Sequence, residues 1–192
     1  MTRILGLMSL LLGTSLVSAE PIQWPVAEGG NDHWYEAIDI NDGVTRAEAN
    51  SHALSLGGYL VTLTSSQEDA WVYNNVDGYD RWIGAYQDTN APDYSEPAGG
   101  WRWENGEAWD YTNWSNGLDN NDVSQPEEEF AHYCCSGAWN DIYNASYAGN
   151  LTRKNVLVEW DSYTPVPEPT TLLLVLMALF GTPLRRAVYH SG

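Results

Sequence analysis

An α+β fold, with two short helices set among short strands, is what this sequence predicts, and three observations carry the prediction. Thr45 with Glu48, and Ser65 with Glu68, each have the Ser/Thr-x-x-Glu spacing of a capping box, the signature of a helix start. Brief runs rich in aromatic and β-branched residues, at 33–39, 59–63, 81–86, 130–134 and 155–160, read as strands. Between them Gly, Pro, Asn and Asp cluster as punctuation, and no internal repeat is visible.

The elements follow in order. The run from His33 to Asp39 partly alternates and reads as a first strand. Thr45 starts a helix because its side chain accepts from a free backbone donor while Glu48 reaches back, and Gly57-Gly58 ends it where a left-handed cap is easy. A strand at 59–63 follows, then a second helix from Ser65 to about Val76, with Trp71 and Val72 as its core anchors. Arg81-Trp82-Ile83-Gly84-Ala85-Tyr86 reads as a buried strand, and 87–100, with Pro92, Pro97, Gly99 and Gly100, as loop. Trp101-Arg102-Trp103 alternates, Asn105-Gly106 is a turn signal, and 111–114 resumes the strand after it. A polar loop precedes a strand at 130–134, a Ser136-Gly137 turn and a partner strand at 138–142. The strand at 155–160 closes the domain, with Val156, Val158 and Trp160 on one face and Leu157 on the other. Among ten Trp, the residues Trp34, Trp71, Trp82, Trp103, Trp139 and Trp160 are expected in the core.

Both ends read as processing signals. Met1-Thr2-Arg3 is a basic start, 4–17 is mostly apolar, and Val17-Ser18-Ala19 offers the small residues that signal peptidase cuts after, so 1–19 is a signal peptide. At the other end Val166-Pro167-Glu168-Pro169 breaks regular structure, 171–180 is almost wholly apolar, and Arg185-Arg186 follows. A helix over 170–184 would reach only roughly 22 Å at about 1.5 Å per residue, short of a hydrocarbon core of about 30 Å. It suits a transient membrane hold with the arginines on the cytoplasmic side. Residues 20–165 remain as one domain.

Of eight basic residues, Arg3, Arg185 and Arg186 lie in these signals, leaving five against 26 acids. Such a balance excludes nucleic acid and anionic membrane as partners of the domain. His33, His52 and His132 are too scattered for a zinc site or a triad, and there is no nucleophile elbow or Gly-rich phosphate loop. Cys134 and Cys135 are adjacent. Strand neighbours point to opposite faces and a disulfide normally spans Cα atoms about 4.4 to 6.8 Å apart, which leaves a vicinal bridge, an intermolecular bridge and two free thiols all open.

The richest stretch is 101–141. Asn120, Asn121, Asp122, Glu127, Glu128 and Glu129 crowd a segment without apolar period, so their oxygens could converge on a hard cation. Asn140 and Asp141 follow a Trp expected to be buried, which would place two more oxygen side chains on a rigid element.

Six pieces occur in a telling order: Gly57-Gly58-Tyr59-Leu60-Val61-Thr62-Leu63, Trp82-Ile83-Gly84, Trp101-Arg102-Trp103, Asn113-Trp114, Trp139-Asn140-Asp141 and Val158-Glu159-Trp160. Together they resemble a C-type lectin-like domain, over roughly 30–161. The resemblance implies two helices with small antiparallel sheets and a long loop region that presents the ligand site, on a core held by packing because the family's usual pair of disulfides is absent. The tail resembles the PEP-CTERM sorting signal of exopolysaccharide-making bacteria, which implies removal by an exosortase-type protease; the residues after Arg186 depart from that pattern.

In sugar-binding members of the family, calcium is held by a Glu-Pro-Asn or Gln-Pro-Asp motif, a later Glu, and the Asn-Asp after the Trp. Asn140 and Asp141 match directly, Glu128 fits the later Glu, and Asn120 fits the end of the tripeptide, where Leu118 and Asp119 replace Glu and Pro. The family's Pro follows a cis bond, which before a non-proline costs about 3 to 4 kcal/mol, so this loop is expected to be trans and one carboxylate short. Gln125-Pro126-Glu127 would restore a Pro but leaves too short a gap to Asn140. Asn120, Glu128, Asn140 and Asp141 with the Asp141 carbonyl, and with Asp119 or Asp122 able to swing in, form a reduced calcium and ligand set, since calcium takes about six to eight oxygens. The reading is a non-catalytic, extracellular carbohydrate-binding module, weakly calcium-dependent and exported to a bacterial surface or polysaccharide matrix. Its rivals are a structural or adhesive matrix protein that binds protein without metal, and a hydrolase pairing Glu128 with Asp141.

Overall fold

The computed structural model describes residues 20–115, 128–143 and 154–165. The chain divides into two units, 1–162 and 163–192, and every element below belongs to the first. The expected signals at 1–19 and 166–192 lie outside the described residues, among which no helix is long and apolar enough to cross a membrane.

Both helices form where the capping pattern places them. In α1 (Arg46–Ser55) Thr45 accepts from the Glu48 backbone and Glu48 Oε2 accepts from the Thr45 backbone at 2.9 Å, so the box is reciprocal. In α2 (Ser66–Asn75) it is only half made. Ser65 accepts from Glu68 N at 3.2 Å, but the Glu68 carboxylate turns inward. It accepts from Thr64 N, Tyr35 Oη and Asn31 Nδ2, each at 2.8 Å. A side chain that sequence spacing assigns to a cap is instead a buried tie between α2 and the sheet.

The strands are β1 (Ile22–Gln23), β2 (Trp34–Ile38), β3 (Tyr59–Leu60), β4 (Arg81–Gln87), β5 (Trp101–Trp103), β6 (Phe130–Tyr133), β7 (Trp139–Ile142) and β8 (Asn155–Trp160). They join in the order β1-β2-β8-β4-β6-β7, with β3 added on β8 and β5 on β4. The resemblance implies small antiparallel sheets; the described residues instead make one connected sheet with a parallel join, Arg81↔Asn155 and Trp82↔Val156. That join exists because β8 returns to the middle of the sheet, where 156–160 are buried throughout. Burial on both faces is why Val156-Leu157-Val158 reads as a continuous apolar run.

Several elements differ from expectation. The strand expected at 59–63 ends at Leu60 because Gly84 N takes the Val61 carbonyl at 2.8 Å, although Val61 N still bonds Leu157 O. Residues 111–114 contribute only a bridge, Trp114 to Trp139. Trp82, Trp103, Trp139 and Trp160 are buried as expected, whereas Trp34 and Trp71 are partly exposed. Trp24 and Trp101 take core places of their own, Trp24 stacking on Trp71 with centroids 5.7 Å apart. Cys134 and Cys135 are bonded to each other, Cα atoms 3.8 Å apart. The bond sits beyond the end of β6 in a turn where Cys135 and Ser136 take φ of 34° and 62°, so the opposed directions of strand neighbours do not apply.

Gly84 shows how tightly β4 lies against the chain at 60–61. A Cβ there would stand 2.6 Å from the Leu60 carbonyl oxygen and 3.0 Å from that of Val61, and backbone cannot swing aside as a side chain can. Gly84→Ala is expected to destabilise the fold by about 2–3 kcal/mol through overpacking. Denaturant titration checks this, and a shift of the midpoint below what about 0.5 kcal/mol produces would contradict it.

Candidate functional site

The framework is aromatic. Trp101, Trp103, Trp109, Trp114 and Trp139 meet ring against ring with centroids 4.8 to 6.3 Å apart. The chain at 113–115 is laced to β7 by backbone: Trp139 N donates to Asn113 O at 2.8 Å and Ser115 N to Trp139 O at 2.9 Å. Segment 116–127, with Asp119 and Asn120, lies outside the described residues, but its two flanks are now placed. One leaves from the Trp139 backbone; the other enters β6, which pairs β7 through Phe130↔Ile142, Ala131↔Asp141 and His132↔Asn140.

Beneath this framework is a carboxylate. Asp69 of α2 is 2 % exposed and accepts from Asn113 Nδ2 at 2.8 Å, Tyr111 Oη at 2.9 Å, Trp139 Nε1 at 3.4 Å and Tyr133 Oη. Burial raises its pKa above the ordinary carboxylate value, and the four hydrogen bonds pull the other way. One side chain of α2 thereby ties the segment at 111–113 to β6 and β7.

Of the residues singled out from sequence, Asn140 and Asp141 are on β7 and Glu128 lies just before β6. Asp141 is fully buried opposite Ala131, while Asn140 is half-buried opposite His132. This alternation follows from the pleat. The Asn140 Nδ2 group donates to the Asp141 carbonyl, which brings two of the expected oxygen sources to one spot. Glu128 lies two residues before β6, beyond the end of the ladder where Phe130 pairs Ile142. No group of three or more His, Cys, Asp or Glu able to hold a metal occurs among the described residues. Glu128, Asn140 and Asp141 therefore do not by themselves fit a calcium cage of about six to eight oxygens.

The carbohydrate-recognition domain of the mouse scavenger receptor C-type lectin superposes with a TM-score of 0.53, covering 67% of this chain and 90% of that one at 23% identity. A calcium-independent type II antifreeze protein superposes with a TM-score of 0.54, covering 76% and 94% at 18% identity. This chain has the C-type lectin-like fold. At such identities the likeness speaks for the fold alone. No family model matches this sequence. The perlucin-like protein of Mytilus galloprovincialis is 32% identical over 109 residues, 53% of this chain and 64% of that protein. Across the curated relatives, the chain spans from 2% to 68% of their own lengths.

Sequence reading missed Asp69, Tyr111 and Tyr133 as a unit. A polar residue in the first turn of a helix reads as solvated or dipole-favoured, and nothing local announces partners more than 40 residues away in the chain.

Proposed function

We propose that this domain is a non-catalytic, extracellular carbohydrate-binding module that presents ligand from the loop region around Asn120, Glu128, Asn140 and Asp141, with Asp119 as a further donor. The observation that carries the reading is the placing of Trp139-Asn140-Asp141 against both flanks of 116–127: Ser115 bonds the Trp139 backbone, and β6 pairs β7. The scavenger-receptor neighbour is described as a carbohydrate-recognition domain, which supports the same ligand class. Calcium is used weakly in this reading, because Leu118 and Asp119 stand where the motif has Glu and Pro, and the described residues supply only part of a cage. The strongly acidic chain, with its apolar first segment and its Pro-Glu-Pro tail, is exported to a bacterial surface or exopolysaccharide matrix, with transient membrane association and exosortase-type processing of the tail.

A second reading, a structural or adhesive matrix protein that binds protein without metal, is favoured by the calcium-independent antifreeze neighbour. A glycan array probed with and without chelator separates the two. Glycan binding that weakens with chelator, and weakens at least about tenfold, or 1.4 kcal/mol, in Glu128→Gln, is the expected result. Absence of all glycan binding would favour the protein-binding alternative.

A further inference from the structure

A cleft of about 320 Å³ opens between α2, the chain at 111–113 and the turn that follows β6, and its described lining holds none of Glu128, Asn140 and Asp141. Its volume matches about ten waters at ~30 Å³ each, and stands at the lower end of small-molecule sites, about 300 to 1,000 Å³. We propose that this cleft binds a neutral saccharide ring without metal, as a second ligand site of the domain.

The chemistry of the lining selects that class. Two tyrosines, Tyr73 and Tyr111, supply aromatic surface, and Asn74, Asn113 and Ser136 supply polar groups. Asp69 is the lining residue with a charge, and its oxygens are engaged by donors from the protein and almost wholly buried. Among the described lining residues a cation therefore finds no available carboxylate, and an anion finds no basic group. Asn113 spends its amide hydrogens on Asp69 and on the Gly137 carbonyl, 2.8 and 2.9 Å away, which leaves its Oδ1 as an acceptor. Asn74 likewise donates to Ala70 O at 2.7 Å and keeps its Oδ1 for a ligand. Acceptors beside aromatic faces suit a ring whose hydroxyls donate and whose C–H face packs on tyrosine.

The site is also preformed. Tyr73 packs on Tyr133, centroids 5.4 Å apart, and a Cβ on Gly137 would stand 3.1 Å from the Tyr73 ring, so the ring is seated against the turn. Asp69 holds Tyr111 and Asn113 on the opposite side. Little side-chain freedom is left to lose on binding, which matters for a weak small ligand.

The saccharide class rests on the lectin-like reading above, and the test keeps the two apart. The full-length chain, ¹⁵N-labelled and in excess EDTA, is titrated with glucose, galactose, mannose and N-acetylglucosamine to about 10 mM, a range suited to dissociation constants near 1 mM. Saturable amide shifts at Ala70, Asn113 and Gly137 are expected with at least one sugar. Ala70 is exposed on α2, so Ala70→Trp fills the cleft with little strain on the fold, and it should weaken those shifts at least about tenfold while Ala70→Ser leaves them. Shifts confined to Glu128, Asn140 and Asp141 that need calcium would overturn the cleft and spare the loop reading. No shifts with any sugar, with or without calcium, would overturn both.

Discussion

Asp69→Ala is expected to cost about 3–5 kcal/mol of folding free energy, more than any surface substitution in this chain. The loss exceeds the worth of one hydrogen bond, because Trp139 Nε1 would keep its burial and lose its acceptor, while Tyr133 Oη would lose a carboxylate and keep only the Asp69 backbone carbonyl at 3.2 Å. A buried polar group left unmade costs about 1–3 kcal/mol, against roughly 1 kcal/mol for the bond itself. Asn113 and Tyr111, less buried, would recover part of their bonding from water. For a domain of this size each kcal/mol moves Tm by about 2–4 °C, so calorimetry should show a drop of about 6–20 °C. Asp69→Asn keeps one acceptor oxygen but loses the second and the charge, so it should fall between the parent and Asp69→Ala. A Tm within about 3 °C of the parent for Asp69→Ala would mean that water replaces the carboxylate and that the network does not organise the site.

The second large effect is a fall in stability as pH rises. His33 Nδ1 lies 2.6 Å from Glu159 Oε1, and Glu159 Oε2 accepts from Thr62 N at 2.8 Å. Glu159 is 1 % exposed, on β8 opposite Tyr35, with Glu68, Asp161 and Tyr59 also acting on the pair. Burial pushes the Glu159 pKa up from 4.5 to about 7, and the hydrogen bond to Glu159 raises that of His33. Both groups hold protons more tightly folded than unfolded, so their stabilisation is complete below the unfolded values and is lost as pH climbs through the folded ones. At about 1.4 kcal/mol per unit, the loss between about pH 5 and about pH 8 is on the order of 2–3 kcal/mol. His132 works in the other direction: burial lowers it to about 4, so its share is lost as pH falls from 6.5 toward that value. His132 offsets much of that loss between about pH 5 and about pH 6.5, so the readout is the difference between the parent and Glu159→Gln: in thermal melts at constant ionic strength the parent should lose stability relative to the variant as pH rises. A parent Tm that holds level or rises relative to that of Glu159→Gln from about pH 5 to about pH 8 would contradict the assignment.

Much of the fold is written locally. Thr45 with Glu48 starts α1 by a box that needs only four consecutive residues, and Gly57, at φ 77°, follows its end as a left-handed exit. The alternation at Trp101-Arg102-Trp103 and the unbroken burial at 156–160 follow from strand geometry in the same way. The half-made box at Ser65 shows where local reading stops, since the same spacing serves a cap in one helix and a buried cross-tie in the other.

By itself, then, the sequence determined the two helices, most of the strands, the strong acidity, and the ordered pieces that point to a C-type lectin-like fold. Only the tertiary structure decided that β8 joins β2 and β4 in one sheet, that the cysteines bond within a turn, and that Asp69 gathers Tyr111, Asn113, Tyr133 and Trp139. The reason is range. Capping and pleating are settled within a few residues, whereas a buried carboxylate is satisfied by whatever donors folding brings to it from the far end of the chain.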